Sequence, residues 1–251
     1  MADIPRLNGI IRALEQGQHA FTAFSPAEID SALAMSTAKF DGCVFEMEHN
    51  PWDGRALRDC LQYMLNRAQI AKAGSIAPAV TPMVRVPVNG IEMAQWHAKQ
   101  ALDIGCYGIV FPHISTVEEA ANAVGACRYP RLKNAPLYEP AGIRGDGPTA
   151  AARYWGLSQQ DYYKKADVWP LNKNGELLIG VIIESRAGIE KVREIAAEPG
   201  VAQIVAGYGT LGGVFKGDPE GREKAARTIL AACNEFRIPC GFPVNNPTEM
   251  Q

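Results

Sequence analysis

Apolar positions along this chain recur in two alternating rhythms: short runs that are continuous or spaced by two, as in strands, and longer stretches with the 3.6-residue spacing of helices. The pattern predicts a helix over 7–14, a strand over 19–24 and a helix over 26–35 with Ser25 as its cap. A buried strand over 43–48 follows, then a helix over 53–66 with Leu57, Leu61, Met64 and Leu65 on one stripe. Residues 69–80 read as loop, 82–87 as a strand and 91–102 as a helix. The near-continuous apolar run at 107–112 suits a parallel strand covered on both faces, and Ser115-Thr116-Val117-Glu118 reads as a capping box opening a helix that runs to Ala126. After a break, the rhythm resumes with a strand over 177–183, a helix over 187–197 and a strand over 202–206. A glycine-rich loop, a helix over 219–236 capped by Asp218 and a strand over 239–244 complete it.

Strand followed by helix, repeated with right-handed connections, predicts an α/β protein with the (β/α)8 TIM barrel fold, in one domain over 1–251. Seven strands are legible, and the eighth βα unit is not evident. The chain ends at Gln251, where residues 246–249 would open another helix. Residues 128–176 interrupt the rhythm with a long excursion rich in Pro, Gly, Tyr, Arg and Lys, which reads as a lid or a subunit contact.

Composition then narrows the partners. At 251 residues and 47% hydrophobic, the chain can bury a full core, and a net charge of -2 from 25 basic and 27 acidic residues leaves no footprint for nucleic acid or anionic lipid. A small-molecule partner is expected. The six cysteines have no metal-ligand spacing and sit in apolar patterns, so reduced thiols are expected. No apolar run approaches membrane-spanning length and the N-terminus lacks a signal core, which predicts a soluble, cytoplasmic protein.

Chemistry concentrates in Cys43-Val44-Phe45-Glu46-Met47-Glu48-His49, an apolar strand that ends in two carboxylates and an imidazole. Alternation puts Glu46 and Glu48 on one face and His49 at the start of the next loop. In a barrel, strand ends meet at one mouth, so Arg85 and Glu184 would face the same cavity. A guanidinium in Val84-Arg85-Val86 needs an anion, such as a substrate carboxylate or an enolate. His49 suits proton transfer with Glu46 or Glu48 orienting it, and Glu184 suits a divalent metal. Each feature also has a structural reading: a solvated strand edge for the carboxylates, a buried ion pair of Arg85 with Glu48, and packing roles for His97 and His113. Pro112 and His113 would line the mouth. Arg144 with Tyr154, Tyr162 and Tyr163 reads either as a turn or as a lid over an aromatic substrate, pointing to aromatic compound catabolism. Gly207-Tyr208-Gly209-Thr210-Leu211-Gly212 fits a dinucleotide-binding pattern, but it lies late in the chain and no ribose-binding acid follows the next strand. Backbone amides around Gly207 and Gly209 approaching a substrate carboxylate are the better reading.

The run Glu46-x-Glu48-His49, with Met83-Val84-Arg85-Val86-Pro87, Ala101-Leu102-Asp103-Ile104-Gly105, Val110-Phe111-Pro112-His113, Cys127-Arg128-Tyr129-Pro130, Gly142-Ile143-Arg144-Gly145 and Ile183-Glu184-Ser185, resembles the HpcH/HpaI aldolase family from about residue 21 to 242. The resemblance implies a pyruvate/phosphoenolpyruvate-type barrel, a homo-oligomer built from dimers and often hexameric, and reversible aldol cleavage of hydroxy-oxo acids. It also implies Mg2+, Mn2+ or Co2+ held by a Glu and an Asp, and it assigns the metal to Glu184, the base to His49 and the enolate to Arg85. Three positions depart from it. Thr210 stands where the family has its second metal carboxylate, Ile182 where it has Gln, and Glu46 where it has Asp. A neutral hydroxyl in place of a carboxylate predicts weaker metal binding. The alternatives are a metal-independent lyase of a non-pyruvate substrate, with Arg85 and backbone amides stabilising the enolate, and a barrel reduced to binding or regulation.

Overall fold

The computed structural model describes residues 5–87 and 92–244. Its strands are β1 (Thr22–Pro26), β2 (Gly42–Glu46), β3 (Thr81–Arg85), β4 (Gly108–Phe111), β5 (Val168–Trp169), β6 (Leu177–Ile183), β7 (Gln203–Ala206) and β8 (Cys240–Gly241). All pairings are parallel, in the order β1-β2-β3-β4-β6-β7-β8, with the two-residue β5 beside the start of β6. No strand closes β1 onto β8 among the described residues. The result is a curled parallel sheet of the (β/α)8 kind whose eighth unit is not evident, as the alternation predicts. The helix expected over 246–249 lies outside the described residues.

Alternation along the strands divides the interior into two cores. Cys43, Phe45, Val84, Ile109, Phe111, Ile179, Val181 and Ile183 face outward into a layer of helices. There they meet Leu57 and Leu61 of α3 (Gly54–Tyr63), Leu102 of α5 (Trp96–Ile104), Val124 of α6 (Val117–Cys127), Val192 of α9 (Arg186–Ala196) and Ile229 of α11 (Pro219–Phe236). The intervening positions Val44, Met83, Val110, Leu178 and Ile182 converge inside the curl. Ile10 and Ile11 of α1 (Gly9–Glu15) pack onto that inner cluster. Burying each such side chain is worth about 1.5–3 kcal/mol, so α1 is a plug held by its apolar face. Polar bonds set its position. The Asn8 side chain caps Ile10 and Ile11 and donates to the carbonyls of Tyr107 (3.2 Å) and Glu176 (3.0 Å), and buried Glu176 accepts from the Leu7 and Asn8 amides.

The excursion carries α7 (Thr149–Trp155), α8 (Gln159–Lys165) and β5. Trp155 stacks on Tyr107 with centroids 4.3 Å apart and donates to the Gly105 carbonyl, and Arg144 bonds Asp103 on α5 and the Tyr162 hydroxyl. Arg128 is buried against Asp167 and the carbonyls of Leu137 and Pro140. These contacts lie on the outer wall and near the strand N-termini. Arg144, Tyr154 and Tyr162 are buried there, while Tyr163 is exposed.

Other boundaries shift for local reasons. Ser25 belongs to β1, and α2 (Ile29–Met35) begins after Glu28 with no side-chain cap. The capping box is formed by Thr116 and Glu119, one residue later than read. A helix, α4 (Arg67–Ala73), occupies part of the expected loop at 69–80, capped by Asn66 and ended by left-handed Gly74. The glycine-rich stretch after β7 is also helical, α10 (Tyr208–Val214), anchored by buried Leu211. All six cysteines are free thiols. None of the described helices is long and apolar enough to cross a membrane.

Candidate active site

The inward parity that buries Val44, Met83 and Ile182 carries one step further at each strand end to Glu46, Arg85 and Glu184. Register places Glu46 directly beside Arg85. The Arg85 Nε donates to Glu46 Oε2 at 2.6 Å, Nη2 closes on the same carboxylate, and Nη1 lies 2.7 Å from Glu48 Oε2. The Phe24 ring covers the guanidinium at 4.9 Å. Glu46 Oε1 accepts from the amides of Glu48 (2.8 Å) and His49 (3.1 Å), so this carboxylate braces both the turn and the arginine.

Glu48 is the hub. Its side chain is 8% exposed, with Oε1 3.4 Å from His113 Nε2 and Oε2 3.5 Å from His49 Nε2. Despite its nearness to Arg85, Oε2 receives no well-directed hydrogen bond. Burial holds the Glu48 carboxyl above its ordinary range, with Glu184 adding to the rise and Arg85, His49 and His113 opposing it. His49 sits on the rim with 71% of its side chain exposed.

His113 follows β4 and the buried Pro112, in the left-handed backbone region at φ 55°. A non-glycine residue there is strained by roughly 1–3 kcal/mol and is commonest at functional sites. The conformation aims its amide at Glu184 Oε1, 2.9 Å away, and sets its Nδ1 3.5 Å from the same oxygen. Glu184, 5% exposed, is packed against Gly207, where an added Cβ would stand 2.5 Å from the Glu184 Cβ. Gly207 therefore makes room for the carboxylate.

Sequence reasoning placed Glu46, Glu48, His49, Arg85 and Glu184 at one mouth, and the geometry brings them together. It assigned His113 only a lining role and missed its position between Glu48 and Glu184. One oxygen of Glu48, one nitrogen of His113 and one oxygen of Glu184 lie within 4.8 Å of one another, a donor set that suits a divalent cation. Thr210 is exposed on α10 and Gly209 has open space about its Cα, so the stretch expected as a glycine-rich loop is a helix, with Gly207 at its N-cap. His97, stacked on Trp96 and edge-on to Trp52, has the packing role expected of it.

The model of the HpcH/HpaI aldolase/citrate lyase family matches residues 21–239. A 5-keto-4-deoxy-D-glucarate aldolase from Salmonella arizonae is 33% identical over 215 residues, 83% of this chain and 70% of that enzyme. Among solved structures, an HpcH/HpaI aldolase/citrate lyase family protein from Burkholderia cenocepacia superposes with a TM-score of 0.77 at 28% identity, covering 97% of this chain and 87% of its own. An HpcH/HpaI aldolase from Desulfitobacterium hafniense has the same fold, with a TM-score of 0.73 at 18% identity over 96% of this chain and 84% of that one.

Proposed function

Because the chain belongs to the HpcH/HpaI aldolase/citrate lyase family, whose members include aldolases, we propose that it cleaves and re-forms the carbon–carbon bond of a small hydroxy-oxo acid through an enolate. The observation that carries this reading is the convergence of His49, Glu48, Arg85, His113 and Glu184 from four strand ends onto one mouth. In the cleavage direction a base takes the proton from the hydroxyl β to the oxo group. The carbon–carbon bond breaks, an aldehyde leaves, and the electron pair moves onto the oxo oxygen as an enolate, which then takes a proton on carbon. His49 suits both proton transfers, being exposed on the rim and backed by Glu48 at 3.5 Å. Arg85 suits the enolate or the substrate carboxylate, and Glu46 orients it. A divalent cation bound beside Glu184 would polarise the oxo group as a Lewis acid.

Acidic sugars of the 5-keto-4-deoxy-D-glucarate kind are the first substrates to screen, given the Salmonella relative. The test is oxo-acid release from a panel of such compounds, with and without chelator. His49→Ala and Arg85→Ala are each expected to lower kcat/KM by about 10²–10³ while the fold is retained. Unchanged turnover in both variants would refute the assignment. A binding or regulatory role is the second reading, favoured by Arg85 being engaged by both Glu46 and Glu48, which leaves its charge compensated within the protein. It predicts ligand-induced stabilisation without release of any aldehyde.

A further inference from the structure

Two of the six cysteines face each other at the end of the sheet. Cys233 lies fully buried in the last turn of α11, and Cys240 is half-buried on β8. The backbone between them doubles back. Helix α11 ends at Phe236, Arg237 takes the left-handed conformation at φ 56°, and the Ile238 amide donates to the Cys233 carbonyl at 3.0 Å. Pairing of Cys240 with Ile204 of β7 then sets β8 against the helix, with both cysteine side chains in the outer core. The two thiols share a hydrogen bond.

That hydrogen bond makes the pair unequal. Cys240 accepts from the Cys233 S–H, which holds the Cys240 thiol below the ordinary cysteine value in spite of burial. The same hydrogen bond, with burial, pushes Cys233 well above that value. The other four thiols are inert by comparison. Desolvation pushes Cys43 and Cys127 up to about 12 and Cys60 up to about 11, and Cys106, sealed in the core, is pushed up as well.

We propose that Cys233 and Cys240 form an oxidative modification site, a dithiol that peroxides convert to a disulfide pinning α11 to β8. The Cys240 thiolate attacks the peroxide: a sulfur–oxygen bond forms, the O–O bond breaks, and the leaving hydroxide takes the thiol's proton to become water. The Cys233 sulfur then attacks the resulting sulfenic acid, the S–S bond forms, and the hydroxyl leaves with the Cys233 proton as a second water. The two thiols together give up two electrons, and hydrogen peroxide is reduced to two waters. Cys233 is thereby the resolving partner that keeps Cys240 from passing to the sulfinic acid. The site does not depend on the aldolase reading, because it lies on the helix-facing side of the sheet.

The experiment is brief treatment of the folded chain with hydrogen peroxide, then alkylation of the remaining thiols and tryptic mass mapping. Trypsin cuts at Arg237, between the two cysteines, so the disulfide is read as a cross-linked pair of peptides. The expected result is that cross-link, a fall from six to four free thiols in the denatured protein, and recovery of all six with dithiothreitol. Cys233→Ser should instead accumulate Cys240 sulfenic acid, trapped by dimedone, and then sulfinic acid. Cys240→Ser should slow oxidation of Cys233 by at least about 10-fold. Free Cys233 and Cys240 after treatment, direct passage of Cys240 to sulfinic acid in the parent, or equal oxidation of Cys43, Cys60, Cys106 and Cys127 would each overturn the proposal. The map of the parent chain decides this by itself should a serine variant fail to fold.

Discussion

Glu48 stands with one oxygen toward Arg85 and the other toward His113, and burial holds its carboxyl above the ordinary range. A carboxyl whose folded pKa is raised favours the native state when protonated, so its contribution is complete below the usual glutamate range and is lost as pH climbs through the raised value. Glu48→Gln keeps the shape without the charge. It should raise Tm at pH 7–8 by a few degrees relative to the parent, with the gap closing toward pH 4, as read by calorimetric scans across that range. Oxo-acid turnover should fall in the same variant, and a lower Tm at neutral pH would contradict the account. Asp167 behaves in the opposite sense. Burial alone would push it up, but the hydrogen bond and charge of Arg128, with Asn172 and the Val168 amide, bring its carboxyl below the ordinary value. Its contribution is present above the unfolded aspartate range and is lost as pH falls through the lowered one. Asp167→Ala leaves Arg128 buried without its anion and should cost about 3–5 kcal/mol at neutral pH, with denaturant titration showing the loss shrink in acid.

Strands and glycines at the mouth act as units. Gly207 follows β7 beside Glu184, and an added methyl would meet the Glu184 Cβ at 2.5 Å and its Oε2 at 2.8 Å. Gly207→Ala should therefore displace the carboxylate and lower oxo-acid turnover by about 10–100-fold while circular dichroism stays native, whereas Gly209→Ala, with open space around it, should turn over as the parent does. Elements with a strong pattern were legible before any coordinates. The run Leu177–Ile183 is buried at every position, which only a strand covered on both faces requires, and Asp218 caps α11 where the periodicity begins. What escaped had no such signal. Helix α4 buries none of its residues, so no apolar stripe marks it, and α10 carries three glycines whose propensity argues for loop. Glu46, Glu48, Arg85 and Glu184 were legible because parity within each strand sets their direction. His113 was not, because its place between two carboxylates depends on a left-handed backbone turn that no spacing encodes.

At the scale of the whole molecule, the curl is stoppered by its own first helix. Asn8 joins the helix cap, the start of β4 through the Tyr107 carbonyl, and the start of β6 through Glu176. Asn8→Ala should remove a cap worth about 1–2 kcal/mol and orphan both carbonyls, lowering Tm by several degrees. Ile11→Ala, which deletes apolar packing instead, should cost about 2–5 kcal/mol with the cap intact. Urea titration of the single and double variants measures the coupling, and strict additivity would show that cap and plug act independently. The partner that seats Asn8 lies 168 residues further along the chain. At roughly 5–20 residues per second, a ribosome needs on the order of 10–30 s to supply it. During that interval the opening helix can meet Val44, Met83 and Val110 but not the carboxylate that fixes its place, so it cannot lock into the curl until β6 emerges.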